Sequence, residues 1–192
     1  MIQLLNKPID QRIVLYGTWE DFKLLQKFSQ NSPGVRVAFY DGEIELFMPG
    51  LQHEQFSEII GYLVTTFLLK RGLIFVPSGS VTQEKPGEVA AQADKSYCLG
   101  TAKPIPDLSI EIVFTSGSVN KLARYRSLGV SEVWFWEDGS LKLYHLRDRE
   151  YDQIARSELP GLENLDIDLL NRCILIAEAN FAGAVQLLQS ES

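Results

Sequence analysis

The fold of this chain is decided by the stretch P-D-L-S-I-E-I-V-F-T-S-G-S-V-N-K-L-A-R-Y-R-S-L-G-V-S-E-V-W-F-W, which occupies residues 106–136. Its hydrophobic periodicity predicts a strand over residues 107–114, a short helix over 120–128 and a second strand over 132–136. The second strand carries V-W-F-W, which is apolar on both faces, so we expect a central strand covered on both sides. A strand, a helix and a buried strand in succession indicate an α/β fold.

Periodicity and turn signals assign most of the remaining chain. Helices are predicted over residues 19–30, where Thr18 is a suitable N-cap, over 53–71 and over 166–189. Further strands are predicted over residues 35–40, 43–48, 74–76, 80–82, 94–99, 141–146 and 151–156, with a polar loop over 84–92. The dipeptide Asp41-Gly42 is a strong hairpin signal between the first two of these strands. Helices that interleave with strands in this way predict a mixed β-sheet flanked by helices on both faces.

Composition is that of an ordinary globular protein. The chain has 192 residues, which we expect to form a single domain over 1–192, with 45% hydrophobic and 22% charged residues. Eighteen Lys and Arg against 25 Asp and Glu give a net charge of −7, so any contact with nucleic acid must come from a local basic patch. Cys98 and Cys173 are too few for a disulfide framework and suggest a reducing compartment.

No segment of the sequence suggests secretion or a membrane. The first twelve residues lack a basic region followed by an apolar stretch and a small-residue cleavage site. The most apolar segment, residues 59–69, is interrupted by polar residues and is far shorter than the roughly 20 residues that a membrane span needs. We therefore expect a cytoplasmic protein that makes no membrane contact.

Glu111 is the first candidate for chemistry, because it lies in the apolar stretch I-E-I-V-F. One interpretation is simple alternation, with Asp107, Ser109 and Glu111 on a wet strand face. The other is that a metal or a cation compensates a buried carboxylate, since an uncompensated one costs several kcal/mol. Asp107 lies about 13 Å along the same strand, at roughly 3.3 Å per residue, which is too far to share an ion with Glu111. Asp94, on a separate segment, can be brought close by sheet pairing.

A basic cluster and a few acids and histidines complete the candidates. The helix predicted from Asn120 carries Lys121 and two arginines. Its first turn follows the Glu111 strand, where backbone N–H groups and the Lys121 ammonium would favour the binding of a phosphate. A solvated helix face is the alternative. His53 opens the long helix at the edge of its inward-facing stripe, where it is either functional or locally hydrogen-bonded. Glu43 begins a strand and Glu45 shares its face, so either is a candidate acid or an exposed strand residue.

Several enzyme classes lose their usual signatures. The sequence has no G-x-S-x-G elbow, no phosphate-binding P-loop and no G-x-G-x-x-G. It also has no C-x-x-C and no H-E-x-x-H, so a structural zinc site is not expected. Serine hydrolases, nucleotide kinases and dinucleotide dehydrogenases are therefore disfavoured.

One family matches the order of these motifs. The set comprises D-G-E-I-E at 41–45, the helix-opening His53, A-D-K-S-Y-C at 93–98, P-I-P-D-L-S-I-E-I at 104–112 and the segment 116–136. It closely resembles the Uma-type endonucleases, a branch of the PD-(D/E)XK restriction-endonuclease-like superfamily. The resemblance covers roughly residues 18–170 and is most specific over 106–136.

The resemblance implies a restriction-endonuclease-like fold and a metal-dependent phosphodiesterase. The first acid of the superfamily would be Asp94 and the second Glu111, with Mg²⁺ or Mn²⁺ between them. Glu43 would correspond to an accessory acid and His53 to the helix-opening histidine, as a base or a phosphate contact. The sequence departs from the superfamily pattern at Ala93, where a proline is usual, and two residues after Glu111, where a valine stands in place of the lysine. The resemblance suggests that Lys121 replaces this lysine.

Two other functions stay open at this stage. The first is a catalytically idle nuclease-fold domain that binds nucleic acid or a protein, which the net charge and the missing lysine favour. The second is an oligomeric scaffold, because apolar residues over 181–188 could serve as a homodimer interface. The sequence predicts, as the leading function, a Mg²⁺-dependent endonuclease that acts on nucleic acid, with DNA favoured.

Overall fold

The computed structural model describes residues 9–114 and 118–191, with the backbone alone at 118–120. Five helices are present in these ranges: α1 (Trp19–Ser29), α2 (Leu51–Lys70), α3 (Ser118–Leu128), α4 (Ile167–Ala177) and α5 (Phe181–Glu191). The strands are β1 (Gln11–Tyr16), β2 (Arg36–Tyr40), β3 (Glu43–Met48), β4 (Phe75–Pro77), β5 (Thr82–Lys85), β6 (Val89–Gln92), β7 (Lys95–Leu99), β8 (Leu108–Val113), β9 (Glu132–Glu137), β10 (Ser140–Arg147) and β11 (Glu150–Ile154).

The strands form two sheets. A six-stranded sheet has the order β11-β10-β9-β8-β7-β4, and a five-stranded sheet has the order β1-β3-β2-β6-β5. Only β8 and β9 pair in parallel, with Ile110 opposite Trp134, and α3 makes the crossover between them. The other ladders are antiparallel, so the six-stranded sheet is mixed, as the sequence predicts.

Helices cover both faces of the six-stranded sheet. The apolar stripe of α2 packs with α4 and α5 over one face, in a core that includes Ile60, Ile110 and Trp134. On the other face α3 packs in a second core that includes Tyr125, Val113 and Phe135. Because both faces are covered, all six residues of β8 are buried, and so are five of the six residues of β9.

The smaller sheet contains β1, β2 and β3, the first three strands of the described residues. Its β2–β3 hairpin turns at Asp41-Gly42, where both residues have positive φ, as the sequence predicts. The helix α1 lies against β2 and begins at a capping box, in which Thr18 and Asp21 exchange hydrogen bonds. Phe22 and Phe39 lie in the small core between them.

Two sequence expectations need correction. Residues 84–92 are not a polar loop but contribute to the β5–β6 hairpin, whose Val89, Ala90 and Ala91 are buried. The region 166–189, predicted to be helical, comprises the two helices α4 and α5. The segment 181–188 is not generally exposed, because α5 turns Ala184 and Leu188 into the main core. Within the described ranges, no helix is long and apolar enough to cross a membrane.

Candidate active site

A small cavity lies where β2, β3 and β8 meet α3. Its volume is about 20 Å³, and the residues that line it include three cations and two carboxylates: Arg36, Lys121, Arg124, Glu45 and Glu111. Roughly 10–15 Å³ is enough to hold one water molecule. The cavity is therefore large enough for a water molecule or a single ion and too small for a nucleotide.

Glu111 lies on the face of β8 that is covered by α3. Its side chain is almost fully buried, so the interpretation of a wet strand face is wrong. The ammonium of Lys121 donates to its Oε2 at 2.5 Å, and the hydroxyl of Tyr125 donates to its Oε1. Burial raises the pKa of Glu111 above its ordinary value, although the charge of Lys121 opposes this rise. The α3 crossover thus supplies both donors that hold the carboxylate.

Asp94 approaches the same strand from the segment before β7. Its Oδ2 accepts a hydrogen bond from the backbone N–H of Ile112 at 2.6 Å, next to Glu111 in the chain. Its Oδ1 accepts hydrogen bonds from His53 and Arg36. Burial alone would raise the pKa of Asp94, but the hydrogen bond from His53 and the charge of Arg36 outweigh burial and hold this pKa well below its usual range. Asp94 is therefore a fully ionised buried carboxylate.

His53 lies between two carboxylates in the first turn of α2. Its Nε2 is 2.7 Å from Asp94 Oδ1, and its Nδ1 is 3.0 Å from Asp10 Oδ2. Burial would lower the pKa of His53, but the hydrogen bonds to Asp10 and Asp94 raise it to about 9. At neutral pH the ring is protonated and both its nitrogens donate. Both ring nitrogens are within hydrogen-bond distance of a carboxylate, and the role of His53 as a base or a phosphate contact stays a prediction.

Glu45 brings a second carboxylate to the cavity, beside Glu111, from the middle of β3. Its Oε2 accepts from Arg124 at 3.0 Å and from the Nε of Arg12 at 2.8 Å. The charge of these arginines and of Lys121 outweighs the opposing effect of burial, so that the pKa of Glu45 is lowered. Of the two glutamates on β3, Glu45 lines the cavity, whereas Glu43, the accessory acid expected from the sequence, does not.

Arg36, on β2, is a site residue that the sequence did not reveal. Its guanidinium donates to Asp94 and, through Nη2, to Glu54 on α2 at 2.9 Å. It lies 58 positions before Asp94, so that no local motif links the two residues. The hairpin that carries Arg36 and Glu45 is recognisable in the sequence, but which of its side chains face α3 depends on long-range packing.

Comparison with known proteins supplies the family. A family model described as "Uma2: Putative restriction endonuclease" matches residues 19–173, which is most of the chain. The chain belongs to the Uma2 family. The resemblance over residues 18–170 is thereby confirmed. None of the curated proteins matches the chain.

One solved structure shows the same fold as the Uma2 chain. It is the crystal structure of a putative nuclease belonging to DUF820 from Anabaena variabilis ATCC 29413. The two share 16% sequence identity at a TM-score of 0.60, over 82% of this chain and 98% of the other. At this identity the likeness establishes the restriction-endonuclease-like α/β fold, as predicted, and not the activity.

Asp94 and Glu111 match a magnesium site in ligand type. Both offer carboxylate oxygens, which Mg²⁺ prefers. A carboxylate has about four lone-pair positions, and the contacts of the described residues bring three donors to Asp94 and two to Glu111, which leaves each with capacity for an ion. Within residues 9–114 and 118–191, no three His, Cys, Asp or Glu side chains are grouped to hold a metal. An ion here would complete its shell with water or substrate oxygens, as Mg²⁺ usually does.

The structure also locates Asp107 and Val113, two further positions considered in the sequence analysis. Asp107 lies away from Glu111, where it accepts from Lys103 and from the backbone N–H of Leu99, in agreement with the choice of Asp94 as the nearer acid. Val113, at the superfamily lysine position, is buried in the core beneath α3. Residues 115–117, part of the motif before α3, lie outside the described residues.

Proposed function

We propose that this Uma2 protein is a metal-dependent endonuclease that hydrolyses phosphodiester bonds in nucleic acid, with DNA as the favoured substrate. Asp94 and Glu111 would hold Mg²⁺ or Mn²⁺. The membership of a family described as restriction endonucleases supports nuclease chemistry in general. Its metal dependence, its substrate and the roles of its residues are the parts that this proposal adds.

The observation that carries the proposal is the contact between Lys121 and Glu111. Position 113 holds valine instead of the superfamily lysine, yet an ammonium lies 2.5 Å from the Glu111 carboxylate because α3 delivers it from the following helix. Burial alone would lower the pKa of Lys121, but the charges of Glu111 and Asp94 and the hydrogen bond to Glu111 together raise it, so this ammonium stays charged at neutral pH. A lysine that reaches the second acid from a different element preserves the chemistry although the sequence pattern is broken.

Each residue has a role that follows from its contacts. A metal at Asp94 and Glu111 would supply a polarised phosphodiester oxygen and a water of lowered pKa. Lys121 places a positive charge beside Glu111, where it can orient the attacking water or neutralise charge that develops on the phosphoryl group. Tyr125 fixes the Glu111 carboxylate by its hydroxyl hydrogen bond, and His53 fixes Asp94.

The test is cleavage by single-site variants. Asp94→Asn, Glu111→Gln and Lys121→Met should remain folded and lose metal-dependent cleavage, by about a hundredfold or more, because each removes a group that acts on the transition state. Asp107→Asn is the matched control, because this carboxylate directly precedes β8 and is held by Lys103 and the backbone N–H of Leu99. Cleavage at the wild-type rate by Asp94→Asn or Glu111→Gln would refute the assignment.

The proposal includes the setting of the protein. A restriction-type activity has DNA as its substrate, which is why DNA is favoured over RNA. Cys98 and Cys173 are free and buried, which suits the reducing cytoplasm that we propose as the location. A homodimer stays part of the proposal and can be tested by light scattering in solution.

One observation favours the second candidate, a catalytically idle nuclease-fold domain that binds nucleic acid or protein. Arg36 and Lys121 already compensate Asp94 and Glu111, so the carboxylates are stable in the fold without an ion. Isothermal titration of Mg²⁺ and Mn²⁺ into the wild type and Asp94→Asn, with and without an oligonucleotide, separates the candidates. Binding that Asp94→Asn loses supports the nuclease, and no binding under any condition supports the idle domain.

A further inference from the structure

Arg36 holds the Asp94 carboxylate that the proposed function assigns to a metal ion. Its guanidinium donates to Oδ1 of Asp94, the oxygen that also accepts from His53, and Arg36 lines the same small cavity as Glu111 and Lys121. Asp94 has no exposed side-chain surface, whereas Arg36 retains 17% of its own. The residue is therefore a counter-ion at the boundary between the buried acids and the opening of the site.

An arginine in this position competes with a metal ion. Arginine cannot be deprotonated in a protein, so its charge leaves a carboxylate only if the side chain moves. A divalent ion that enters beside a guanidinium also meets like-charge repulsion, which is strong where water is scarce. Metal binding at Asp94 is thus opposed for as long as Arg36 remains on its Oδ1.

We propose that Arg36 is a displaceable counter-ion, which leaves Asp94 when the metal binds and then holds a phosphodiester of the substrate. The inference rests on the proposed function and adds to it a binding residue for the substrate phosphate. It also requires that metal and substrate bind cooperatively. The metal replaces the positive charge of Arg36 at Asp94, and the substrate phosphate gives the released guanidinium a new negative partner.

The surroundings of Arg36 suit such an exchange. Its second partner, Glu54 on α2, keeps 45% of its side-chain surface exposed, so the guanidinium already spans from the buried acid to the surface. The planar guanidinium can donate two parallel hydrogen bonds to a phosphate, which an ammonium cannot do. Lys121 and Arg124 line the same cavity, so a phosphate drawn to its opening would meet further positive charge.

The experiment measures Mg²⁺ affinity by calorimetry in the wild type, Arg36→Met and Arg36→Lys. The bound substrate is represented by a short DNA duplex with phosphorothioate linkages, which slow its cleavage. In the wild type the duplex should tighten Mg²⁺ binding by about tenfold, within the usual range of coupling between two sites. Arg36→Met should bind Mg²⁺ about tenfold more tightly without DNA and lose most of the coupling. Arg36→Lys should keep the weaker binding of the wild type but show less coupling, because it holds phosphate less well.

Thermal unfolding provides a second measurement and guards against misfolding. Without metal, Arg36→Met should unfold at a lower temperature than the wild type, because Asp94 loses a counter-ion, and Mg²⁺ should raise its Tm more than that of the wild type. Arg126→Met is the matched control, because Arg126 forms an exposed pair with Glu150 away from the cavity.

The outcomes separate this inference from the proposed function. Equal Mg²⁺ affinity in the wild type and Arg36→Met, with binding still dependent on Asp94, would overturn the role of Arg36 and leave the metal site standing. Weaker Mg²⁺ binding by a folded Arg36→Met would also overturn it. Absence of Mg²⁺ and Mn²⁺ binding in every variant, with or without DNA, would overturn the metal site and the inference together.

Discussion

At the scale of single residues, the chain Asp10–His53–Asp94 makes stability depend on pH. The pKa of His53 is raised from 6.5 to about 9, so the proton stabilises the folded state. This contribution is fully present below pH 6.5 and is lost as the pH rises through about 9. A difference of about 2.5 in pKa corresponds to about 3 kcal/mol.

The expected result is a fall in the free energy of unfolding by up to about 3 kcal/mol between pH 6.5 and 9.5, measured by urea denaturation. Asp10→Asn removes one of the two carboxylates that raise the pKa of His53, so the fall should still begin near pH 6.5 but end at a lower pH and be smaller. His53→Gln should remove the His53 part of the pH dependence. An unchanged pH profile in Asp10→Asn would contradict this account of the buried histidine.

The residues of the candidate site were predictable to different degrees. Glu111 and Lys121 lie ten positions apart on a strand and the helix that follows, so a local segment already brings them together. Asp94 could be chosen over Asp107 because strand geometry excludes the latter. Arg36 and Asp10 could not be found, because their partners lie about 40 to 60 positions away and only the complete fold brings them close.

At the scale of elements, the start of α2 positions His53, which in turn contacts Asp94 of the candidate site. Gly50 is the N-cap, and its N–H donates to Asp10 Oδ1 at 2.7 Å, so one aspartate holds both the helix start and His53. A methyl group on Gly50 would lie 2.9 Å from the carbonyl carbon of Ile9, although the backbone dihedrals of Gly50 suit any residue. The neighbouring backbone, not a flexible side chain, is what leaves no room there.

Alanine substitutions at the start and in the middle of α2 should therefore differ in their effect on the stability of the protein. Gly50→Ala should destabilise the protein by about 1–3 kcal/mol and displace Asp10, because the backbone must shift. Gly61→Ala, in the middle of α2, meets only the flexible stem of Lys95 and replaces a poor helix former, so it should be neutral or stabilise by up to about 1 kcal/mol. Denaturant unfolding of both variants checks the contrast. A Gly50→Ala protein as stable as Gly61→Ala would refute it.

Helices and strands were predictable where a hydrophobic periodicity was bounded by clear capping or turn residues. The stripe of α2 and the apolar β9 are long or strongly patterned, so their types were correct. The β5–β6 hairpin was not found because the apolar run over 89–91 is short and lies between polar residues. Val89 and Ala91 are buried by α3 and the six-stranded sheet, and Ala90 is buried in the small core with α1. The boundary between α4 and α5 was not predicted, because apolar periodicity continues on both sides of it.

At the scale of the whole molecule, the cavity gathers positive charge in a protein whose overall charge is negative. The net charge is −7, while three cations line the cavity and Arg12 lies beside it on Glu45. These cations face buried carboxylates, so the site has little excess positive charge until a metal enters. A nucleic acid would therefore be held by few phosphate contacts, with metal ions supplying part of the attraction.

This arrangement sets the salt dependence of DNA binding. With at most about four phosphate contacts, the slope of log affinity against log salt concentration should not be steeper than about −4. Between 50 and 200 mM salt the affinity should fall by no more than about 250-fold, whereas proteins with 6–10 contacts lose about 10³–10⁵. Fluorescence anisotropy of a labelled duplex with the non-cleaving Glu111→Gln variant measures the slope. A steeper slope would require a basic surface beyond the cavity, and binding without salt dependence would favour recognition without phosphate contacts, as in the idle domain. A shallow but finite slope is what a nuclease with one small, internally neutralised site should show.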